Sequence, residues 1–86
     1  MKVRTSKKFD KAYTRLQSHQ RLAIDEALAH FIHDRTDPAL RDHALKGRLA
    51  GLRSFEASWD LRVIYREEGG YVTIFLLDAG SHNQVY

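Results

Sequence analysis

The chain has 86 residues, 43% hydrophobic and 29% charged, a net charge of +3 at pH 7 and no cysteine. That length predicts one domain, residues 1–86, with a small core, and the composition is that of a folded rather than a disordered chain. The missing cysteines exclude a disulfide scaffold and thiolate zinc and suit a reducing cytoplasm; the start Met1-Lys2-Val3-Arg4-Thr5 lacks the apolar segment of a signal peptide, and no apolar run approaches the roughly 18 residues of a membrane span.

A pI near 9.5 is weak evidence for a polyanionic partner. Placement says more than the total. Residues 1–21 carry seven basic side chains against one acid, Asp10. Val3 and Thr5 alternate with charged residues, which predicts a short strand over 2–5. Ser6 then caps a helix from Lys7, with Phe9, Ala12, Tyr13 and Leu16 on one apolar stripe. Lys8, Lys11 and Arg15 fall on another face, as solvated surface or as a phosphate-contacting one. Gln17 to Gln20 interrupts the pattern. Ser18 is the candidate cap of a second helix, with a stripe of Ile24, Ala27, Leu28, Phe31 and Ile32. Arg35 and Thr36 end it and Asp37-Pro38 seals the stop, because the residue before proline disfavours the helical region. So short a link predicts an antiparallel helix pair. His30 and His33, near Asp34 and Asp37, are read as solvated polar residues rather than metal ligands.

Pro38 to Gly47 reads as a loop with a helical turn at Ala39-Leu40-Arg41. Periodicity then becomes that of strands. In 49–57, Leu52, Ser54 and Glu56 lie opposite Arg53, Phe55 and Ala57; in 59–66, Leu61, Val63 and Tyr65 alternate with Asp60, Arg62, Ile64 and Arg66. Glu67-Glu68-Gly69-Gly70 is a turn. The apolar run 71–78 reads as a central strand covered on both faces, and the tail 79–86 as a turn or short helix. The expectation is an α+β fold, two helices on one face of a small twisted antiparallel sheet. The free face, bordered by the loop at His43 and the tail at His82, is the place for a site.

Cleaving RNA through its 2′-hydroxyl needs a base, an acid and positive charge on the phosphorane. Histidine suits the first two and arginine, with its planar fork, the third; no metal is needed. His43 and His82 are the candidate acid/base pair. Arg62 is the candidate phosphate clamp, with Lys46, Arg48 or Arg53 in support. Tyr65 or Tyr86 could stack on a base. Each residue also has a plainer reading: a solvated loop histidine, a strand arginine covering the sheet with its stem, an Asp42 or Asp60 that caps a turn or pairs with a cation. Trp59 reads as core or turn packing rather than as a stacking platform.

Taken together, His43-Ala44-Leu45-Lys46-Gly47, Gly51-Leu52-Arg53, Asp60-Leu61-Arg62-Val63-Ile64-Tyr65, Gly80-Ser81-His82 and Tyr86 resemble the RelE/ParE superfamily of bacterial type II toxins, closest to its YafQ-like and RelE/StbE branch. The resemblance covers essentially the whole chain. It implies a microbial-RNase-like α+β fold and an mRNA interferase that cleaves messenger in the ribosomal A site, in contact with ribosomal RNA. It also implies a silencing cognate antitoxin, through which alone operator DNA is reached, with no cofactor and no membrane. By resemblance His43 and His82 match the branch's loop and C-terminal histidines and Tyr86 its terminal aromatic. Asp60 matches a catalytic-site aspartate and Arg62 the strand arginine at the scissile phosphate. Where the branch has an acid and then a histidine after the earlier strand arginine, this chain has Ser54 and Glu56. Glu56 is thereby a candidate base or a partner that orients His43. Two other readings share the fold: a ParE-like inhibitor of DNA gyrase, against which the histidine pair argues, and a degenerate toxin that only binds its partner.

Overall fold

The computed structural model describes residues 1–86. Strand β1 (Lys2–Thr5) leads to helices α1 (Lys7–Arg15) and α2 (Ser18–His33). After a 3-10 turn, Pro38–Leu40, come β2 (His43–Ala44), a second 3-10 turn and the strands β3 (Arg53–Ser58), β4 (Leu61–Glu68) and β5 (Thr73–Gly80). Helix α3 (His82–Val85) ends the chain.

Ser6 caps α1 as its sequence position predicts, its hydroxyl accepting from the Phe9 amide at 3.0 Å. The cap of α2 is Gln17 rather than Ser18, because Gln17 and Gln20 bond each other's backbone amides reciprocally. The helix ends at His33, ahead of Asp37-Pro38. Phe9 of α1 and Ile24, Ala27 and Phe31 of α2 enter one core; Ile32, read as part of the stripe, is half exposed. The predicted helix pair lies over one sheet face, with Tyr13 donating to Asp25 at 2.7 Å across it.

The sheet order is β1-β5-β4-β3-β2. It differs from the antiparallel expectation in one pairing, since β1 runs parallel to β5. The residues between them supply the crossover that a parallel pair requires. Leu61, Val63 and Tyr65 of β4 and Ile74, Leu76 and Ala79 of β5 point into the helix-side core with Phe55 of β3. Phe31 stacks on Phe55 and meets Tyr65 edge-on, each at 5.1 Å between centroids. The other face of β5 is only partly covered: Phe75 is half-buried under the Arg66 guanidinium at 4.7 Å. On that face Ile64 and Val85 are buried, so α3 covers one part of the sheet and leaves the rest open.

Candidate active site

Alternation fixes which side chains reach the open face. Ser54 and Glu56 of β3 point away from Phe55, and Arg62 and Ile64 of β4 point away from Val63. Register sets Glu56 opposite Arg62 and Arg62 opposite Gly80. Arg62 donates to Glu56 and to Asp60, each at 3.3 Å, and its side chain is only 21% exposed. The second Glu56 oxygen faces the Arg41 Nε at 3.6 Å. Asp60 sits in the two-residue turn between β3 and β4 with φ +52, a left-handed conformation that aspartate tolerates better than most residues. From there Oδ1 also accepts from the His82 amide at 3.1 Å. One carboxylate thus fixes both the arginine and the start of α3.

Helix α3 is short and is held at both ends. Ser81 and Gln84 form a capping box, and the His82 ring rests edge-on against the Tyr86 ring, with centroids 4.5 Å apart. The Arg62 guanidinium lies 5.9 Å from the Tyr86 ring centroid, within cation–π range. Arg48 donates to the Tyr86 backbone oxygen. The result is an open cleft of about 440 Å³ lined by Arg41, Glu56, Trp59, Asp60, Arg62 and His82, a volume in the range of small-ligand sites. His82 is exposed on its rim.

His43 is exposed and lies on the same face, since it stands opposite Ser54 in the register of β2 with β3. Its Nδ1 lies 2.8 Å from the Arg41 carbonyl. A carbonyl only accepts, so Nδ1 carries the proton and Nε2 is left free. His43 lies level with Ile64, two residues along β4 from Arg62; with strands about 4.8 Å apart and a rise of about 3.4 Å per residue, the His43 and Arg62 backbones are on the order of 12 Å apart, a gap their side chains can span around a phosphate.

Several residues named from sequence lie elsewhere. Tyr65 is fully buried on the helix side and donates to Asp42 at 2.6 Å, so it cannot stack on a base. Arg53 shares that side: its Nε donates to Asp42 at 3.1 Å and to Tyr65 at 3.2 Å, which makes it a structural ion-pair residue outside the cleft. Burial alone would lower the Arg53 pKa; the bonds to Tyr65 and Asp42 outweigh it and raise the value. Burial and the bond to Asp42 push the Tyr65 phenol well above its usual range. The Tyr86 hydroxyl is buried without a hydrogen-bond partner, so the ring supports His82 and the hydroxyl does not reach the cleft. Glu56 touches Arg41 and Arg62 rather than His43. Lys46 is exposed beside β2. Lys8, Lys11 and Arg15 line a separate groove with Gln84 of α3, where Lys8 faces Asp78 at 3.3 Å. His30 meets Asp37 at 3.6 Å, and no group of three or more acidic or histidine side chains is placed to hold a metal.

A family profile described as a bacterial toxin of type II toxin-antitoxin systems, YafQ, matches residues 1–86. The chain belongs to this family. Among solved structures it is similar to YafQ from E. coli strain BL21(DE3), with TM-score 0.82, 16% identity and coverage of 98% of this chain and 96% of that one. A metal-bound toxin from Helicobacter pylori is 28% identical with TM-score 0.71, covering 100% of this chain and 99% of that one. The toxin in the E. coli DinJ-YafQ toxin-antitoxin complex aligns with TM-score 0.79 at 17% identity, covering 98% and 94%. No curated protein matches the chain.

The toxin's cleft contains one residue that sequence reading gave no role, Arg41, and one that it read as packing, Trp59. Arg41 sits at φ +48 after the Pro38–Leu40 turn, a conformation that an arginine does not advertise. Its carbonyl orients His43 and its side chain meets Glu56. Trp59, read as core or turn packing, does lie in the turn but packs on nothing and stands 92% exposed, because that turn has only two residues and projects beyond the sheet.

Proposed function

We propose that this toxin is a ribosome-dependent mRNA endoribonuclease that works without a metal. The observation that carries the reading is the convergence of Arg62, Asp60, Glu56 and His82 on one open cleft, with His43 on the same face. His43 Nε2 takes the proton of the 2′-hydroxyl as its oxygen attacks the phosphorus. The P–O5′ bond breaks, His82 protonates the leaving oxygen, and the products are a 2′,3′-cyclic phosphate and a 5′-hydroxyl. Arg62 turns from Glu56 to the phosphorane, where its fork donates to two oxygens. Asp60 positions Arg62 and α3, Tyr86 positions His82, and Arg48 holds the Tyr86 backbone. Glu56 keeps Arg62 and Arg41 extended until a phosphate competes for them.

The exposed groove of Lys8, Lys11 and Arg15 supplies a salt-dependent docking surface for ribosomal RNA, with Lys46 on the opposite flank. The protein acts in the cytoplasm and needs no cofactor. Its remaining partner is a cognate antitoxin, as the DinJ-YafQ complex has for its own toxin; the antitoxin silences it by covering this cleft or displacing α3, and operator DNA is reached through the antitoxin alone. The test is primer extension on a translated reporter after induction without antitoxin. Codon-registered cuts that disappear with His82→Ala support the reading. Growth arrest without cuts, with inhibited supercoiling, would replace it with a gyrase inhibitor, and neither arrest nor cuts with a binding domain.

A further inference from the structure

Trp59 is the chain's only tryptophan. It is 92% exposed although tryptophan is among the residues most buried on average. No aromatic ring or cation of the protein packs on its faces. It is nevertheless not a stray surface residue. It occupies the tip of the β3–β4 turn, next to Asp60, whose carboxylate holds Arg62 and the His82 amide. It is also the only large apolar side chain in a cleft otherwise lined by three cations or histidines and two acids. A bare indole among phosphate-binding groups suits a ligand that carries both a phosphate and a flat apolar face. Tryptophan also anchors protein interfaces, but the arginines and histidine around this indole match a phosphodiester, and no second large apolar side chain lines the cleft beside it.

We propose that Trp59 is the stacking platform for one base of the messenger, next to the phosphate held by Arg62. The inference rests on the endoribonuclease reading above and adds to it a residue that positions the substrate. Stacking engages the face of any base, so Trp59 sets the register of the strand in the cleft rather than its sequence. Asp60 in its left-handed conformation keeps the indole and the arginine at a fixed separation.

The experiment uses single-turnover cleavage on 70S ribosomes programmed with synthetic mRNAs, each carrying one abasic nucleotide at a different position of the A-site codon. Wild-type protein is expected to lose roughly tenfold in rate at one of those positions. Trp59→Ala should lose a similar factor on intact mRNA and lose nothing further at that abasic position, because the two changes remove the same contact. Trp59→Phe should recover most of the rate. Additive effects of Trp59→Ala and every abasic site would overturn the proposal, as would a Trp59→Ala protein that cleaves like wild type. A variant of the latter kind that also escapes antitoxin inhibition would assign the indole to the protein partner instead. No cleavage by the wild-type protein would overturn the endoribonuclease reading itself, an outcome distinct from the others.

Discussion

The buried network under β2 sets a measurable stability. Tyr65→Phe removes a hydroxyl that donates at 2.6 Å to Asp42, whose side chain is 9% exposed. The ring keeps its packing against Phe31 and Phe55, so no large cavity forms; the loss is chiefly that of the short charge-assisted bond to Asp42, because the Arg53 Nε that also donates to this hydroxyl keeps its bond to Asp42. Such bonds contribute about 1.5–3 kcal/mol. For a chain of this size each kcal/mol lowers Tm by roughly 4–8 °C, so a loss of about 2 kcal/mol should lower it by roughly 8–16 °C. Tyr13→Phe is the matched control. It breaks the same kind of bond, to Asp25 at 2.7 Å, at an exposed site, and should cost less than about 1 kcal/mol. The assay is urea and thermal unfolding followed by circular dichroism, with unchanged m-values as the check on two-state behaviour. Equal losses in the two variants, or a Tyr65→Phe protein within about 0.5 kcal/mol of wild type, would refute the claim that Asp42 depends on Tyr65. Asp42 directly precedes His43, so the same substitution should also slow cleavage.

The Tyr65 and Tyr13 phenols both have pKa values raised above the ordinary 10.0, Tyr65 through burial and then its bond to Asp42, Tyr13 through its bond to Asp25. The folded state therefore holds these protons where the unfolded state releases them. The stabilisation is complete below pH 10.0 and falls as pH rises through the folded values, by up to about 1.4 kcal/mol per pH unit for the buried Tyr65 and by only a small part of that for Tyr13, whose exposed pair with Asp25 is screened by solvent; unfolding midpoints between pH 9 and about pH 11 check the sign. Gly80→Ala would set a Cβ 2.7 Å from the Gln84 Oε1 that accepts from the Ser81 amide. It should break the cap of α3 at a cost of about 1 kcal/mol and reduce cleavage more than it reduces Tm. Phe31→Ala removes a ring with 0% exposure from the centre of the core and should cost about 3–5 kcal/mol, leaving little folded protein at 37 °C, as read by the same unfolding curves.

Much of this was legible in the chain because local signals and tertiary structure agree. Ser6, the Phe9–Leu16 stripe, the Asp37-Pro38 stop and the alternation of Leu61, Val63 and Tyr65 each specify their element by short-range chemistry. What was not legible depends on partners distant in sequence. The parallel pairing of β1 with β5 joins residues about seventy positions apart, and β2 has two residues, too few for a period. Tyr65 and Arg53 share faces with Val63 and Phe55, and that parity already placed them inward. Their polar ends pointed the other way until Asp42 was found to satisfy both. Trp59 reverses the case: its side-chain type argues for the core, and the two-residue turn puts it in solvent. The cleft itself follows from parity, since Glu56, Arg62 and Gly80 share one face once the register is known.

The central claim is that the cleft cuts messenger on the ribosome. Its most direct test is the cleavage pattern of a translated reporter mRNA with wild-type toxin and with His43→Ala, His82→Ala and Arg62→Ala, each first checked for native circular dichroism. Codon-registered cuts by the wild type, lost or strongly reduced in all three folded variants, are the expected result. Equal cutting by all four proteins, or no cutting by the wild type, would contradict the account.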